Sequence, residues 1–228
     1  MNSFAAQKCI LFLVRDYYRQ VPVDMYQHFF KRLLDIVLSF LGLILLSWIF
    51  LILTAAIWID DPGPVLFRQK RYGKGKRFFY LHKFRSMKRS APHDVPTHLL
   101  ENPQQHITRV GRFLRRSSLD ELPQIWDIFV GKMSIVGPRP ALWNQDDLIA
   151  KRDRYGANDV RPGLTGWAQI NGRDEISIEE KSRLDGEYTA VLKSGGWKAF
   201  AMDMRCFFGS FLPVCTARGV SEGSAERK

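Results

Sequence analysis

Cysteine is scarce in this chain: Cys9, Cys206 and Cys215 are the only three in 228 residues. Their spacing fits neither a metal site nor a redox pair, and an odd number cannot all pair, so they read as reduced thiols facing the cytosol. No internal repeat or heptad pattern occurs, which excludes a solenoid or a coiled coil. Acidic residues are short as well, 23 against 34 lysines and arginines, giving a net charge of +11 and a pI near 9.8. Such a balance calls for anionic partners: nucleic acid, acidic lipid headgroups or phosphorylated small molecules.

The most consequential absence is local. IVLSFLGLILLSWIFLILTAAIWI, from Ile36 to Ile59, carries no charge for 24 residues, and a bilayer core needs about 20 apolar residues in a helix. A buried core helix is the alternative, but such helices are usually shorter and apolar on one face only. A cleavable signal peptide is not expected, because 35 residues precede the run and it is too long for one. Lys31 and Arg32 stand before it, and Arg68, Lys70, Arg71, Lys74, Lys76 and Arg77 follow it. Both ends therefore read as cytoplasmic, which a simple span cannot satisfy and a helix that enters and returns can. Gly42 and Ser47 are the available weak points for a bend.

Residues 1–29 interleave CILFLV and aromatics with Lys8, Arg15 and Arg19, a pattern for an interfacial helix or an ordinary packed one. Asp61-Pro-Gly-Pro64 is a turn, and VLFRQKR and KRFFYLHKF around Tyr72-Gly-Lys-Gly75 form a short hairpin rich in cations. Residues 89–107, with Pro92, Pro96, Pro103 and the histidines His93, His98 and His106 at no metal-binding spacing, read as a loop. Helix is expected from Leu119 to Phe129 and over residues 141–159, with a turn at Gly137-Pro-Arg-Pro140 and a loop at RPGLTGWAQING (161–172). A last helical stretch, Ile178 to Phe208, is interrupted at Gly195-Gly196, and the tail from Ala217 is expected to be disordered.

SSLDELPQIW (117–126) follows Arg109, Arg112, Arg115 and Arg116 and sets two carboxylates, Asp120 and Glu121, against that basic run. Ser118-x-x-Glu121 matches a capping box, and Pro123 suits a first helical turn. Capping and chemistry are both open at this stretch.

KRLLDIVLSFLGLILLS (31–47), DPGPVLFRQKRYGKGKRFFYLHKFRSM (61–87), GRFLRRSSLDELPQIWDIFVGKMSIVGPRP (111–140) and RPGLTGWAQINGR (161–173) together resemble the bacterial sugar transferase family. The likeness is to its small monotopic members, the polyprenyl-phosphate phosphoglycosyl transferases. The resemblance implies that Asp120 and Glu121 are a catalytic dyad. Asp120 would attack the β-phosphate of a UDP-sugar and expel UMP, and polyprenyl (undecaprenyl) phosphate would then take the phosphosugar, the first membrane step of extracellular glycan assembly. A carboxylate is a weak nucleophile toward an anionic diphosphate, so cations must neutralise the phosphoryl group: Mg²⁺ held by Asp120 and Glu121, with Arg139 and Arg115 on the phosphates. Lys83 and Arg85 of HKFRSM, with Gln169, Asn171 and Arg173 of QINGR, match motifs associated with the nucleotide-sugar. Trp167 and Trp197 read equally as core, membrane anchors or stacking groups. The family breaks its membrane helix at Ser-Pro, where this chain has Ser47-Trp48.

The expected architecture is α+β, predominantly helical with a small β-hairpin, a membrane-embedded re-entrant helix and interfacial helices. Its parts are an N-terminal extension (1–29), a membrane-inserted helix (30–60), a cytoplasmic catalytic domain (61–216) and a disordered tail (217–228). The expected location is the bacterial inner membrane, with the catalytic domain on the cytoplasmic face. The expected partners are a UDP-sugar, polyprenyl phosphate and the bilayer, without nucleic acid; a homo-oligomer is left open. The rival is a non-catalytic basic adaptor, anchored by one helix and binding acidic lipid or nucleic acid.

Overall fold

The computed structural model describes residues 25–91, 103–172 and 176–210. Residues 1–24, His93, His98, Arg173 and the tail from Ala217 lie outside them. Helix dominates the described residues, and strand is confined to two small pairs, an α+β arrangement.

The apolar run folds as two helices. A π-helical turn, Tyr26–Phe30, leads into α1 (Lys31–Leu45); the chain leaves helical geometry at Leu46, with φ −96° and ψ 2°, and resumes as α2 (Ser47–Asp60). The bend measures 59°, and no single described helix is long and apolar enough to cross a membrane. Ser47 Oγ donates back to the Ile44 carbonyl at 2.8 Å, a local bond that loosens the helical ladder without proline. The buried side of α1 is a polar stripe, Lys31, Asp35 and Ser39, while Leu45 (67%), Leu51 (72%) and Ile59 (73%) are left exposed.

After α2, strands β1 (Leu66–Tyr72) and β2 (Phe78–Phe84) form the expected antiparallel hairpin, in register from Leu66↔Phe84 to Tyr72↔Phe78, with Gly75 at φ +63° in its turn. The 89–107 segment is not loop throughout: Pro103–His106 makes one helical turn. Thr108 caps α3 (Arg109–Arg116) by accepting from Gly111 N at 2.9 Å. The single helix expected from Leu119 to Phe129 is instead a 3₁₀ turn, Leu119–Glu121, followed by α4 (Gln124–Phe129). Arg32 of α1 donates to the carbonyls of Ile128 and Phe129, at 2.7 Å each, satisfying the end of α4 with a cation where the dipole favours one.

Beyond α4 comes a parallel pair that the loop expectation for 161–172 missed. β3 (Ser134–Val136) lies beside β4 (Gly163–Thr165), with Ser134↔Gly163 and Val136↔Thr165. Strands this short carry no readable alternation, and their neighbours need glycine to approach: a Cβ on Gly163 would lie 2.1 Å from Gly137 N. Asp35 joins β3 to α1, accepting from Ile135 N at 2.9 Å and Ser134 Oγ at 3.1 Å. Between the strands, the helix expected over 141–159 is shorter, α5 (Asp146–Arg154), with a 3₁₀ turn at Ala157–Asp159. The short α6 (Trp167–Ile170) follows β4.

The last two helices, α7 (Ile178–Ser194) and α8 (Gly196–Gly209), separate at the expected glycines, both with positive φ. They enclose a core of Tyr26, Val136, Val160, Tyr188, Leu192, Ala199 and Cys206. At its edge Asp203 accepts from Tyr26 Oη and Lys31 Nζ at 2.7 Å and from Tyr188 Oη at 2.8 Å, which locks the root of α1 to α7 and α8.

Candidate active site

The dyad sits on a tight turn whose apolar residues are pulled one way and its carboxylates another. Leu119 and Leu122 pack against the cluster of Leu53, Ile57, Phe84 and Leu114, so α2, β2 and α3 all grip the turn. Between those leucines, Asp120 and Glu121 meet Lys83, near the end of β2. Lys83 Nζ lies 2.8 Å from Glu121 Oε1 and 3.8 Å from Asp120 Oδ2. Arg139 Nη2, from the turn after β3, reaches the same Glu121 oxygen at 2.7 Å. Each dyad side chain is 13% exposed.

The expected capping box does not form. Ser118 adopts left-handed backbone angles, φ 56° and ψ 17°, and its side chain accepts no cap bond. Glu121 N donates instead to the Ser118 carbonyl at 3.2 Å. The reason is local: at positive φ the hydroxyl is turned off the amides, and the Glu121 carboxylate is taken by two cations. Holding a non-glycine residue there costs about 1–3 kcal/mol, which the leucine packing offsets.

The two carboxylates are driven apart electrostatically. Burial raises the Asp120 carboxyl above the ordinary range; Lys83 opposes that rise and the neighbouring Glu121 charge adds to it, with Arg115 and Arg139 opposing more weakly. Burial would raise Glu121 too, but the charges and hydrogen bonds of Arg139 and Lys83 hold it well below the ordinary range. Adjacent carboxyls with divergent affinities for a proton are a common way to divide roles in a site.

The other expected residues divide. Arg115 is fixed by a bond from Nε to Ser86 Oγ at 2.9 Å and contributes its charge to Asp120. Arg85 is buried and turned toward Asp61, where Nη2 donates to the backbone carbonyl and Nη1 lies 3.4 Å from Oδ2, pinning the exit of α2. The structure does not bring it to the dyad. Gln169 lies beside the Gly137 turn, where a Cβ on Gly166 would meet Gly137 O at 2.2 Å and Gln169 Oε1 at 2.8 Å; its amide atoms are buried without a protein partner. Asn171 Nδ2 donates to the Trp167 carbonyl at 2.8 Å, ending α6. Trp167 bonds Glu187 through Nε1 at 3.2 Å with Arg205 over its ring, whereas Trp197 is 77% exposed.

One residue was missed. Arg71 on β1 donates from Nη1 to the Pro140 carbonyl at 2.8 Å. Burial and the nearby Arg139 charge push its guanidinium down to about 9, with Glu121 opposing. In the sequence it is one cation of a run that reads as a basic flank, and only its strand register marks it out. No group of three or more metal-ligating side chains occurs among the described residues. The dyad nevertheless offers two adjacent carboxylates, the donor set with which Mg²⁺ commonly binds a phosphate substrate.

A largely buried, cation-paired carboxylate dyad thus lies between a bent apolar helix pair and a Gly-Pro-Arg turn, in the stretch of chain that resembles the bacterial sugar transferase family. The chain matches that family over residues 26–216 and belongs to it. It is 43% identical, over 158 residues, to a UDP-glucose:undecaprenyl-phosphate glucose-1-phosphate transferase of Xanthomonas campestris pv. campestris, covering 68% of this chain and 33% of that protein. To the Escherichia coli (strain K12) protein of the same name it is 42% identical over 169 residues, 70% of this chain and 35% of that one. The chain thus spans about a third of the length of these two relatives. To the exopolysaccharide production protein ExoY of Sinorhizobium fredii (strain NBRC 101917 / NGR234) it is 32% identical over 203 residues, covering 83% of this chain and 87% of that protein.

Proposed function

We propose that this protein transfers a phosphosugar from a UDP-sugar to a polyprenyl phosphate, releasing UMP, at the cytoplasmic face of the bacterial cell membrane, as the first membrane step of glycan assembly. The observation that carries the reading is the adjacent pair Asp120 and Glu121, with Lys83 reaching both carboxylates and Arg139 bonded to Glu121. Asp120, which stands outside the short bonds that tie Glu121 to Lys83 and Arg139, is the nucleophile. One of its oxygens bonds to the β-phosphorus as the bridging bond to the α-phosphate breaks, and the electron pair leaves with UMP. An oxygen of the polyprenyl phosphate then attacks the same phosphorus, the Asp120–phosphorus bond breaks, and the carboxylate is restored.

Glu121 stays ionised and holds Lys83 and Arg139 in place, so that both cations face the transferring group and need little rearrangement as charge builds there. Arg71 and Arg115 add positive charge at longer range. Mg²⁺, which Asp120 and Glu121 would hold, supplies further neutralisation of diphosphate charge when bound. The names of the relatives support both substrates, and a non-catalytic adaptor has no use for two largely buried carboxylates paired with cations.

Bilayer insertion of α1 and α2 is the second part of the proposal. A helix that buries Lys31, Asp35 and Ser39 and exposes leucine and isoleucine is inverted relative to a helix in water. With basic residues at both ends and a bend in the middle, the pair enters and leaves by one face.

The test is to incubate detergent-solubilised protein with a panel of UDP-sugars, Mg²⁺ and polyprenyl phosphate while following UMP. Turnover with one or a few of the sugars is expected, and none in Asp120→Asn. Undiminished turnover in that variant would overturn the assignment of the nucleophile.

A further inference from the structure

The Gly137-Pro-Arg-Pro140 turn is held from beneath by a buried ion pair. Arg152, 3% exposed on α5, donates from Nε and Nη2 to Asp185 Oδ2 of α7, at 2.8 and 2.5 Å. Its remaining arm, Nη1, donates to the backbone carbonyl of Arg139 at 3.0 Å. Arg71 grips the next carbonyl, that of Pro140. Two guanidinium groups thus hold consecutive carbonyls of the segment that delivers Arg139 to Glu121.

Neither Arg152 nor Asp185 makes a bond to the dyad. Asp185 is 1% exposed, and a buried ion pair often returns no more than its desolvation costs, so global stability is a poor reason for one here. Position is a better one, since only a fork with three directed donors can clamp a carboxylate and reach a carbonyl on another segment at once. Arg152 also occupies the apolar stripe of α5, on the same buried face as Leu148 and Ile149.

Resting on the role assigned above to Arg139, we propose that Arg152, oriented by Asp185, is a positioning residue for phosphosugar transfer: it fixes the Arg139 carbonyl and thereby where the Arg139 guanidinium meets the diphosphate. A lysine at 152 keeps the charge and loses the fork. An asparagine at 185 keeps the shape and loses the charge that orients Arg152.

The experiment measures kcat and KM for UMP release, with a fold check by thermal melting, for Arg152→Lys and Asp185→Asn, each alone and combined with Arg139→Ala. Alone, each variant is expected to lower kcat, up to about 100-fold, as small misplacements in a preorganised site do. In the Arg139→Ala background the same substitutions should cost almost nothing further, because the group they place is gone. Losses that multiply in the combined variants would overturn the proposal, as would wild-type kcat in either folded single variant. Should Arg152→Lys not fold, Asp185→Asn decides alone. Full activity in Arg139→Ala itself would instead remove the role given to Arg139, a separate failure.

Discussion

Arg139 Nη2 and Glu121 Oε1 lie 2.7 Å apart across 18 positions of sequence. Lys83 donates to the same oxygen, so one carboxylate organises two cations from two different segments. Removing that carboxylate should be felt in stability as well as in rate.

Glu121 is held well below the ordinary carboxylate range. Its contribution to stability is therefore present above the unfolded value, about 4.3, and is lost as pH falls through the depressed folded value. Glu121→Gln should cost about 1–3 kcal/mol at neutral pH, the scale for losing hydrogen bonds to a charged, partly buried group. In denaturant melts the difference from wild type should hold at neutral pH and narrow as pH falls below about 4.3. A variant as stable as wild type at pH 7 would refute this.

Asp120 behaves oppositely. Its carboxyl is raised by burial, so between the ordinary value, about 3.9, and its raised value the folded state binds more protons than the unfolded state, and stability falls as pH rises. Asp120→Asn should abolish turnover and yet melt above wild type at pH 7, with the advantage vanishing below about pH 4. A destabilised Asp120→Asn at neutral pH would show that Lys83 and the arginines dominate its burial.

Lys83 restrains the rise of Asp120, so its removal should raise that carboxyl further. In Lys83→Gln the acid limb of the profile of kcat/KM against pH, which reports the free enzyme, should move to higher pH along with a fall in rate. A limb that stays in place would detach Lys83 from Asp120.

Gly111 brings α3 onto the segment that follows Lys83 and the end of β2. A Cβ there would sit 2.0 Å from the Ser86 carbonyl oxygen, and Ser86 is also the residue that fixes Arg115. Gly111→Ala should cost about 1–3 kcal/mol as backbone is forced apart and should depress kcat through Arg115. Unchanged melting would mean that the helix shifts freely.

Much of this was legible in the residues. The charge-free run, the bend at Ser47, the hairpin and the break at Gly195-Gly196 all follow from composition and turn chemistry acting over several residues. The parallel pair was not, because three-residue strands such as Gly163–Thr165 give no alternation and their glycines read as turn. The capping box failed because Ser118 and Glu121 fit it in spacing, whereas spacing is blind to a left-handed Ser118. Asp120, Glu121 and Arg139 stood out by motif. Arg71 and Arg152 did not: one is buried inside a run of cations, and the other looks like part of the solvated face of Asp-Asp-Leu-Ile-Ala-Lys-Arg-Asp-Arg until Leu148 and Ile149 show which face is in.

Whether Asp120 carries the phosphosugar between the two substrates is read by intact-mass measurement. With UDP-sugar and Mg²⁺ present and polyprenyl phosphate withheld, the protein should gain the mass of one phosphosugar, mapped to Asp120, as UMP is released in a single burst equal to the enzyme. Added polyprenyl phosphate should return the mass to its starting value. An unmodified mass, with no UMP appearing until both substrates are bound, would rule out a phosphosugar on Asp120.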